Sequence, residues 1–92
     1  MPRVLFTAAA RADLAEALDW FAAHAPHTIP HFREAMRAVV ARIGENPKQF
    51  PVASRRTRRA LLRHFPYLII FREANDAAYV IAVFHTSRNP AA

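Results

Sequence analysis

Two segments in the second half of the chain are apolar at nearly every position. They are Tyr67–Phe71 and Ala78–Phe84, and both have the length and the aliphatic and aromatic content of buried β-strands. An antiparallel sheet with one solvated face would instead alternate apolar and polar side chains. The pattern therefore indicates that both faces of this sheet require cover. Since so short a chain can hardly cover both faces alone, the pattern favours a binding partner.

The first half of the chain is predicted to form one strand and two helices. Arg3–Thr7 has the pattern of a strand, and the Thr7 hydroxyl is placed to cap a helix over about residues 8–24. A second stripe with helical spacing begins near Thr28 and ends at Gly44, where a left-handed C-cap is expected. The short break between the two helices predicts an antiparallel helical hairpin.

The remaining elements define a fold class. Residues 45–58 are predicted to be a loop, and residues 59–90 to form three strands with turns at Phe65-Pro66 and Asn75-Asp76. The order β-α-α-β-β-β is that of an α+β fold, with a helical hairpin packed on an antiparallel sheet. At 92 residues, the chain is expected to be a single domain spanning residues 1–92.

Composition narrows the chemistry that is open to the chain. It has no cysteine and one glycine, which excludes disulfides, thiol catalysis and a glycine-rich phosphate loop. The five histidines show no metal-ligand spacing with a carboxylate, so neither a metal nor a cofactor is expected. No signal-peptide pattern and no apolar run of about 20 residues is present. We therefore expect a cytoplasmic protein without a membrane partner.

Positive charge is concentrated in the second half of the chain. The net charge is +6, and residues 51–92 hold seven basic and two acidic side chains, against six and five in residues 1–50. A basic surface attracts phosphate-rich or acidic partners. The basic groups that stand out are Arg55, Arg56, Arg58, Arg59, Arg63, His64, Arg72, His85 and Arg88.

Two interpretations of these basic groups are open. Arginine forks beside an imidazole can clamp a phosphate and move a proton, which is the minimum for metal-free RNA cleavage. Alternatively, they form a docking surface for an acidic peptide or protein. Docking is favoured, because no carboxylate or tyrosine completes an acid/base pair. By the period of two in a strand, Arg59 and Arg63 are expected on one side of their strand.

The order and spacing of several motifs resemble the RelE/ParE superfamily, the toxins of bacterial type II toxin–antitoxin modules, also called plasmid stabilisation proteins. These motifs are Glu45-Asn46-Pro47 with Phe50-Pro51, Arg63 with Phe65-Pro66-Tyr67-Leu68-Ile69-Ile70-Phe71-Arg72, and Ala82-Val83-Phe84-His85 with Ser87-Arg88-Asn89-Pro90. The resemblance covers essentially the whole chain. It implies the same β-α-α-β-β-β fold and a cognate antitoxin whose C-terminal segment wraps the toxin.

Within the superfamily, the chain is more similar to the ParE-like branch, which binds and poisons DNA gyrase. RelE-like ribonucleases place an arginine after the aromatic residue that opens the third strand, where this chain has Leu68. They also carry a tyrosine or histidine near the C-terminus, whereas nothing aromatic follows His85 here. Two alternatives stay open. One is a RelE-like, ribosome-dependent mRNA endoribonuclease, and the other is a degenerate toxin that only binds antitoxin.

The resemblance distributes the candidate residues among three roles. Target binding is assigned to His85, Ser87 and Arg88. An antitoxin- or nucleic-acid-binding basic surface is assigned to Arg55, Arg56, Arg58, Arg59 and Arg63. In the ribonuclease alternative, the catalytic residues would be Arg63, Arg72, His85 and Arg88.

Overall fold

A computed structural model describes residues 3–87 of the chain. Its elements are β1 (Arg3–Phe6), α1 (Ala8–His24), α2 (Ile29–Glu45), β2 (Val52–Ser54), β3 (Thr57–Leu61), β4 (Tyr67–Ala74) and β5 (Ala77–His85), with short 3-10 turns at Pro26–Thr28 and Pro47–Gln49. The two helices pack on one face of a five-stranded sheet. The predicted α+β class, with a helical hairpin on a sheet, is therefore confirmed.

The sheet has the order β1-β5-β4-β3-β2 and is mixed. β1 runs parallel to β5, with Phe6 opposite Val80, whereas every other neighbouring pair is antiparallel. The helical hairpin carries the chain from one edge of the sheet to the other. Three antiparallel reversals then bring β5 back beside β1, pointing in the same direction. The sequence predicted an antiparallel sheet, and the structure differs in one pair of strands, β1 and β5, which is parallel.

Residues 45–58, predicted to be a loop, contain an additional edge strand. β2 pairs with the start of β3, and the Ser54 and Thr57 hydroxyls lie 2.7 Å apart across the turn that joins them. All three residues of β2 are exposed. A strand that buries no side chain leaves no hydrophobic alternation in the sequence, which explains why the pattern did not predict it.

The two helices begin and end by different means. Thr7 caps α1 as predicted, because its hydroxyl accepts a hydrogen bond from the Ala10 N–H at 3.1 Å. The predicted left-handed C-cap at Gly44 is wrong. Gly44 is buried inside α2, and no glycine of the described chain has a positive φ. The helix ends instead at Asn46, whose side chain accepts a hydrogen bond from the Lys48 N–H at 3.1 Å and opens the next 3-10 turn.

The core lies between the helices and the inner face of the sheet. Its largest fully buried side chains are Phe32, Phe71, Ile43, Leu62, Ile69 and Val80. Phe32 lies at an aromatic junction, with ring centroids 5.0 Å from Phe21, 5.4 Å from Phe65 and 5.2 Å from Tyr67. Offset and edge-to-face pairs of this kind add to the stabilisation that burial provides. No helix within residues 3–87 is long and apolar enough to span a bilayer.

Candidate functional site

The C-terminal end of β5 docks against the turn that joins β3 and β4. The carbonyl of Pro66 accepts hydrogen bonds from the Thr86 backbone N–H at 2.8 Å and from the Thr86 hydroxyl at 3.2 Å. The His85 ring packs edge-on against Tyr67, with centroids 5.2 Å apart. These contacts hold His85–Ser87, which we call the tail, at one end of the sheet.

The turn from Leu62 to Tyr67 is tightly built. The Leu62 N–H donates to the Tyr67 carbonyl at 2.9 Å, and the Tyr67 N–H donates to the Phe65 carbonyl at 2.8 Å. Closing the turn places His64 in the left-handed region, with φ of 67°. For a residue with a Cβ atom, that conformation costs about 1–2 kcal/mol of free energy. The buried side chain of Leu62 anchors the turn on one side.

Within the tail, a local hydrogen bond orients the imidazole. The Ser87 backbone N–H donates to His85 Nδ1 at 3.0 Å, which makes this ring nitrogen an acceptor. Ser87 itself is exposed. The third residue predicted to bind the target, Arg88, lies outside the described residues. The structure thus places His85 and Ser87 together beside the β3–β4 turn.

A groove of about 650 Å³ runs beside the same turn, between α2 and the end of β3. Apolar side chains form its floor, among them Ala35, Val39 and Phe65. Two arginines also line it, Arg42 from α2 and Arg63 from the turn. The Arg42 guanidinium also lies over the Phe50 ring, 5.0 Å from its centroid. An apolar floor with cationic borders suits a ligand that carries both apolar and anionic groups.

The predicted basic surface divides into structural and exposed arginines. The Arg58 guanidinium donates to the Phe50 carbonyl at 2.7 Å and lies 3.4 Å from a Glu73 carboxylate oxygen. Arg59 donates to the Val52 carbonyl at 3.1 Å. Both arginines therefore hold the segment from Phe50 to β2 against the sheet.

The other predicted basic residues occupy separate places. Arg55 and Arg56 form the tip of the β2–β3 hairpin and are exposed. Arg63 lies beyond the last residue of β3, Leu61, so it does not share one side of a strand with Arg59, and that prediction is wrong. The hairpin tip and the groove are thus two distinct basic regions.

Arg72 is remote from His85, another residue of the ribonuclease alternative. It lies opposite Tyr79 in the β4–β5 register, whereas His85 lies opposite Tyr67. Arg72 and Tyr67 are five residues apart on β4, a separation of about 17 Å, and an odd offset puts their side chains on opposite faces of the sheet. Arg63 and His85 share one end of the sheet, and Arg72 does not.

The outer face of the sheet is apolar at its centre. Leu68 lies opposite Phe84, Ile70 lies opposite Ala82, and all four are only partly buried. Both helices lie on the inner face, so within residues 3–87 no helix covers this surface. The sequence predicted that both faces of the sheet need cover. These four side chains form the apolar part of the face that the helices leave open.

Sequence reasoning missed the contribution of α2 to the groove. His31, Ala35, Ala38 and Arg42 recur at spacings of four, three and four, which places them on one helical stripe. This stripe of small and basic residues was available in the sequence. Its neighbour on the turn, Arg63, follows only from the tertiary structure. Among the described residues, no cluster of three or more His, Asp or Glu side chains is arranged to hold a metal ion.

The described residues form an α+β domain with a basic, partly apolar end and a sheet face that no helix covers. Comparisons with known proteins identify its family. Residues 4–90 match the family model of the ParE toxin of the type II toxin–antitoxin system parDE. The chain is 33% identical over 79 residues to Toxin ParE2 of Mycobacterium tuberculosis, in strains H37Rv and CDC 1551, covering 85% of this chain and 75% of the relative.

A solved structure gives the same fold. A chain of the chromosomal ParDE system from P. aeruginosa superposes with a TM-score of 0.81 at 18% identity, covering 95% of this chain and 98% of that one. At that identity the likeness shows the fold alone. The chain belongs to the ParE toxin family of type II toxin–antitoxin systems. The predicted resemblance to the RelE/ParE superfamily, and to its ParE branch, is therefore confirmed.

Proposed function

We propose that this ParE-type toxin arrests growth by binding and poisoning DNA gyrase, and that a cognate antitoxin neutralises it. His85, Ser87 and Arg88 are the proposed target-binding residues. In this mechanism the protein forms and breaks no covalent bond itself. Its positive charge steers it towards gyrase bound to DNA, since a basic surface speeds encounters with phosphate-rich complexes.

The placement of Arg72 carries the preference for binding over RNA cleavage. Metal-free cleavage requires phosphate-binding and proton-transfer groups within hydrogen-bond reach of one scissile bond. Arg72 lies on the outer face at the opposite end of β4 from Tyr67 and His85. One of the four residues of the ribonuclease alternative is therefore remote from His85, which supports a toxin that acts by binding.

The uncovered outer face supports neutralisation by a partner. Leu68, Ile70 and Phe84 form an apolar surface with Arg59 and Arg72 on the same face. Burying apolar area favours association, and the arginines add complementarity to an acidic chain. An antitoxin segment with apolar and acidic residues would satisfy both features.

The test is a gyrase assay with purified toxin. Supercoiled plasmid, DNA gyrase and wild-type toxin should yield accumulated cleaved DNA, and induction of the toxin in cells should arrest growth with DNA damage. The variants Ser87→Ala and Arg88→Ala should reduce the cleaved DNA at least tenfold. Asp76→Gly, on the turn at the opposite end of the sheet, is the control and should retain activity.

Three results would contradict the proposal. Unchanged gyrase activity at saturating toxin would exclude gyrase poisoning. New codon-specific messenger RNA ends after induction, read by primer extension, would identify the ribonuclease alternative instead. Unimpaired growth on expression of the folded protein alone would identify a toxin that retains only antitoxin binding. The antitoxin is sought as the product of the reading frame that adjoins the toxin gene.

A further inference from the structure

The hairpin formed by β2 and β3 presents two adjacent exposed arginines, Arg55 and Arg56, at its tip on the edge of the sheet. We infer that this hairpin tip binds the phosphate backbone of duplex DNA, and that it holds the toxin on the DNA of the gyrase complex. The second half of the inference rests on the proposed function, because it takes gyrase as the target.

Hydrogen bonds at the base of the hairpin fix the position of its tip. The Arg58 guanidinium donates to the Phe50 carbonyl at 2.7 Å, and the Arg59 backbone N–H donates to the Pro51 carbonyl at 3.0 Å. β2 buries no side chain, so these bonds and its pairing with β3 hold it in place without help from the core. A hairpin tip that is held in this way loses less conformational entropy when it binds a partner.

Positive charge is in excess around the hairpin tip. Within residues 3–87, no carboxylate pairs with Arg55 or Arg56. The carboxylate that contacts the base of the hairpin belongs to Glu73, and it lies 3.6 Å from Lys48 Nζ and 3.4 Å from Arg58 Nε. Because Glu73 already faces two cations, the charges of the hairpin tip remain available to a polyanion.

The side chains of the turn suit phosphate better than a protein surface. Residues Ser54, Arg55, Arg56 and Thr57 offer hydroxyl and guanidinium groups and no long apolar side chain. Both kinds of group donate hydrogen bonds to DNA phosphates, whereas the centre of a protein interface is usually an apolar or aromatic anchor. Duplex DNA carries one negative charge per about 1.7 Å of its axis, so each arginine can meet a phosphate. Phosphate contacts carry no sequence information, and the binding should therefore not depend on the DNA sequence.

The hairpin tip lies at the opposite end of the sheet from the proposed target-binding residue His85. β3 starts beside the hairpin tip at Thr57 and ends at Leu61, four residue steps or about 14 Å away. Leu61 lies opposite Leu68 on β4. The residue before Leu68 is Tyr67, which lies opposite His85. One toxin can thus contact gyrase at one end and DNA at the other, and the first contact raises the effective concentration for the second.

The experiment measures DNA binding in the absence of gyrase. The probe is a fluorescently labelled DNA duplex of arbitrary sequence, titrated with purified toxin and followed by anisotropy between about 50 and 200 mM salt. The double variant Arg55→Gln/Arg56→Gln removes both charges of the hairpin tip. The matched control, Arg33→Gln/Arg37→Gln, removes two charges from exposed positions on α2. Both variants are checked for native circular dichroism and are then assayed for cleaved DNA with gyrase.

The hairpin-tip variant should bind the duplex at least tenfold more weakly at the lower salt concentration. The slope of log affinity against log salt should become shallower by about 1–2, because each arginine that meets a phosphate releases close to one counterion. The α2 control should keep the wild-type slope. With gyrase, the hairpin-tip variant should need several-fold more toxin for the same amount of cleaved DNA, and this difference should shrink as salt rises.

Other results would overturn the inference. Wild-type DNA affinity in the hairpin-tip variant, or an equal loss in both double variants, would show that the hairpin tip is not the DNA site. Loss of antitoxin affinity with unchanged DNA affinity would assign the hairpin tip to a protein partner. Full gyrase poisoning by a hairpin-tip variant that has lost DNA affinity would overturn the role of the DNA contact on the gyrase complex.

The inference and the proposed function fail separately. Because the DNA titration contains no gyrase, it tests the hairpin tip whether or not the toxin acts on gyrase. A wild-type toxin that binds DNA through the hairpin tip and leaves gyrase unaffected would overturn the proposed function and the gyrase half of the inference. A toxin that poisons gyrase and has no affinity for the duplex would overturn the inference alone.

Discussion

The carboxylate of Asp13, on α1, accepts a hydrogen bond from the backbone N–H of Val83, on β5, at 3.0 Å. β1 is too short to pair with this part of β5, since its register ends with Phe6 opposite Val80. The β4–β5 register also shifts between Ile70 and Phe71. Asp13 thus takes the place of a strand residue and satisfies a ladder donor at an open sheet edge.

Removing this carboxylate should destabilise the fold. Asp13→Ala leaves the partly buried Val83 N–H without its acceptor, and we expect the free energy of unfolding to fall by about 1–3 kcal/mol. Urea denaturation followed by circular dichroism measures the change. Asp13→Asn keeps an acceptor oxygen and should lose less. Asp19→Ala, at an exposed position on the same helix, should stay within about 0.5 kcal/mol of the wild type.

Arg58 should contribute more to the free energy of unfolding than the exposed Arg55 and Arg56 do. Arg58→Ala removes the contacts with the Phe50 carbonyl and Glu73, and should lower the free energy of unfolding by about 1–2 kcal/mol. Arg55→Ala and Arg56→Ala, at the hairpin tip, should change it by less than about 0.5 kcal/mol. Equal effects in urea denaturation for all three variants would contradict the division of this surface.

The β4–β5 turn should accept glycine with a gain in stability. Its two central residues, Asn75 and Asp76, have φ values of 51° and 61°, as a type I′ hairpin turn requires. Asn-Gly is the preferred pair for this turn because glycine adopts a positive φ without steric cost. Asp76→Gly removes a left-handed cost of about 1–2 kcal/mol and adds about 0.5–1 kcal/mol of unfolded-state entropy, so it should raise the free energy of unfolding by about 0.5–1 kcal/mol. Asp76→Ala should lower it, and a melting temperature that rises for both would contradict the assigned conformation.

Local chemistry explains which parts of the fold were predictable. Thr7 predicts the start of α1, because a hydroxyl directly before an apolar helical stripe has a specific capping role. Asn75 and Asp76 predict the β4–β5 turn for a similar reason, since both residue types tolerate left-handed backbone geometry. In each case the residue on which the prediction rests is the one that forms the cap or the turn.

Contacts between distant residues explain the rest. The hydrogen bond from Val83 to Asp13 joins residues 70 positions apart, so no local pattern contains it. The C-cap prediction at Gly44 failed for a related reason, because Gly44 is buried inside α2 and does not end the helix. Likewise, Arg63 looks like a strand residue in the sequence, and only the end of β3 at Leu61 turns it towards the groove.

A charge on the outer sheet face should weaken antitoxin binding without unfolding the toxin. Ile70→Lys is suited to this test, because Ile70 is partly exposed and a lysine stem can lie along an apolar surface with its ammonium group in water. We expect at least a tenfold loss of affinity, or about 1.4 kcal/mol, in calorimetric titration with the antitoxin. Val52→Lys is the matched control, since Val52 is an apolar side chain, 58% exposed, on the far edge strand β2.

The comparison between the two lysine variants is decisive because both add the same charge to the same sheet. Loss of affinity in Ile70→Lys alone would locate the antitoxin on the outer face. Equal losses would point to a general effect of the added charge instead of a contact on the outer face, and added salt would change that effect in both variants alike. Wild-type affinity in both would remove the outer face from the interface.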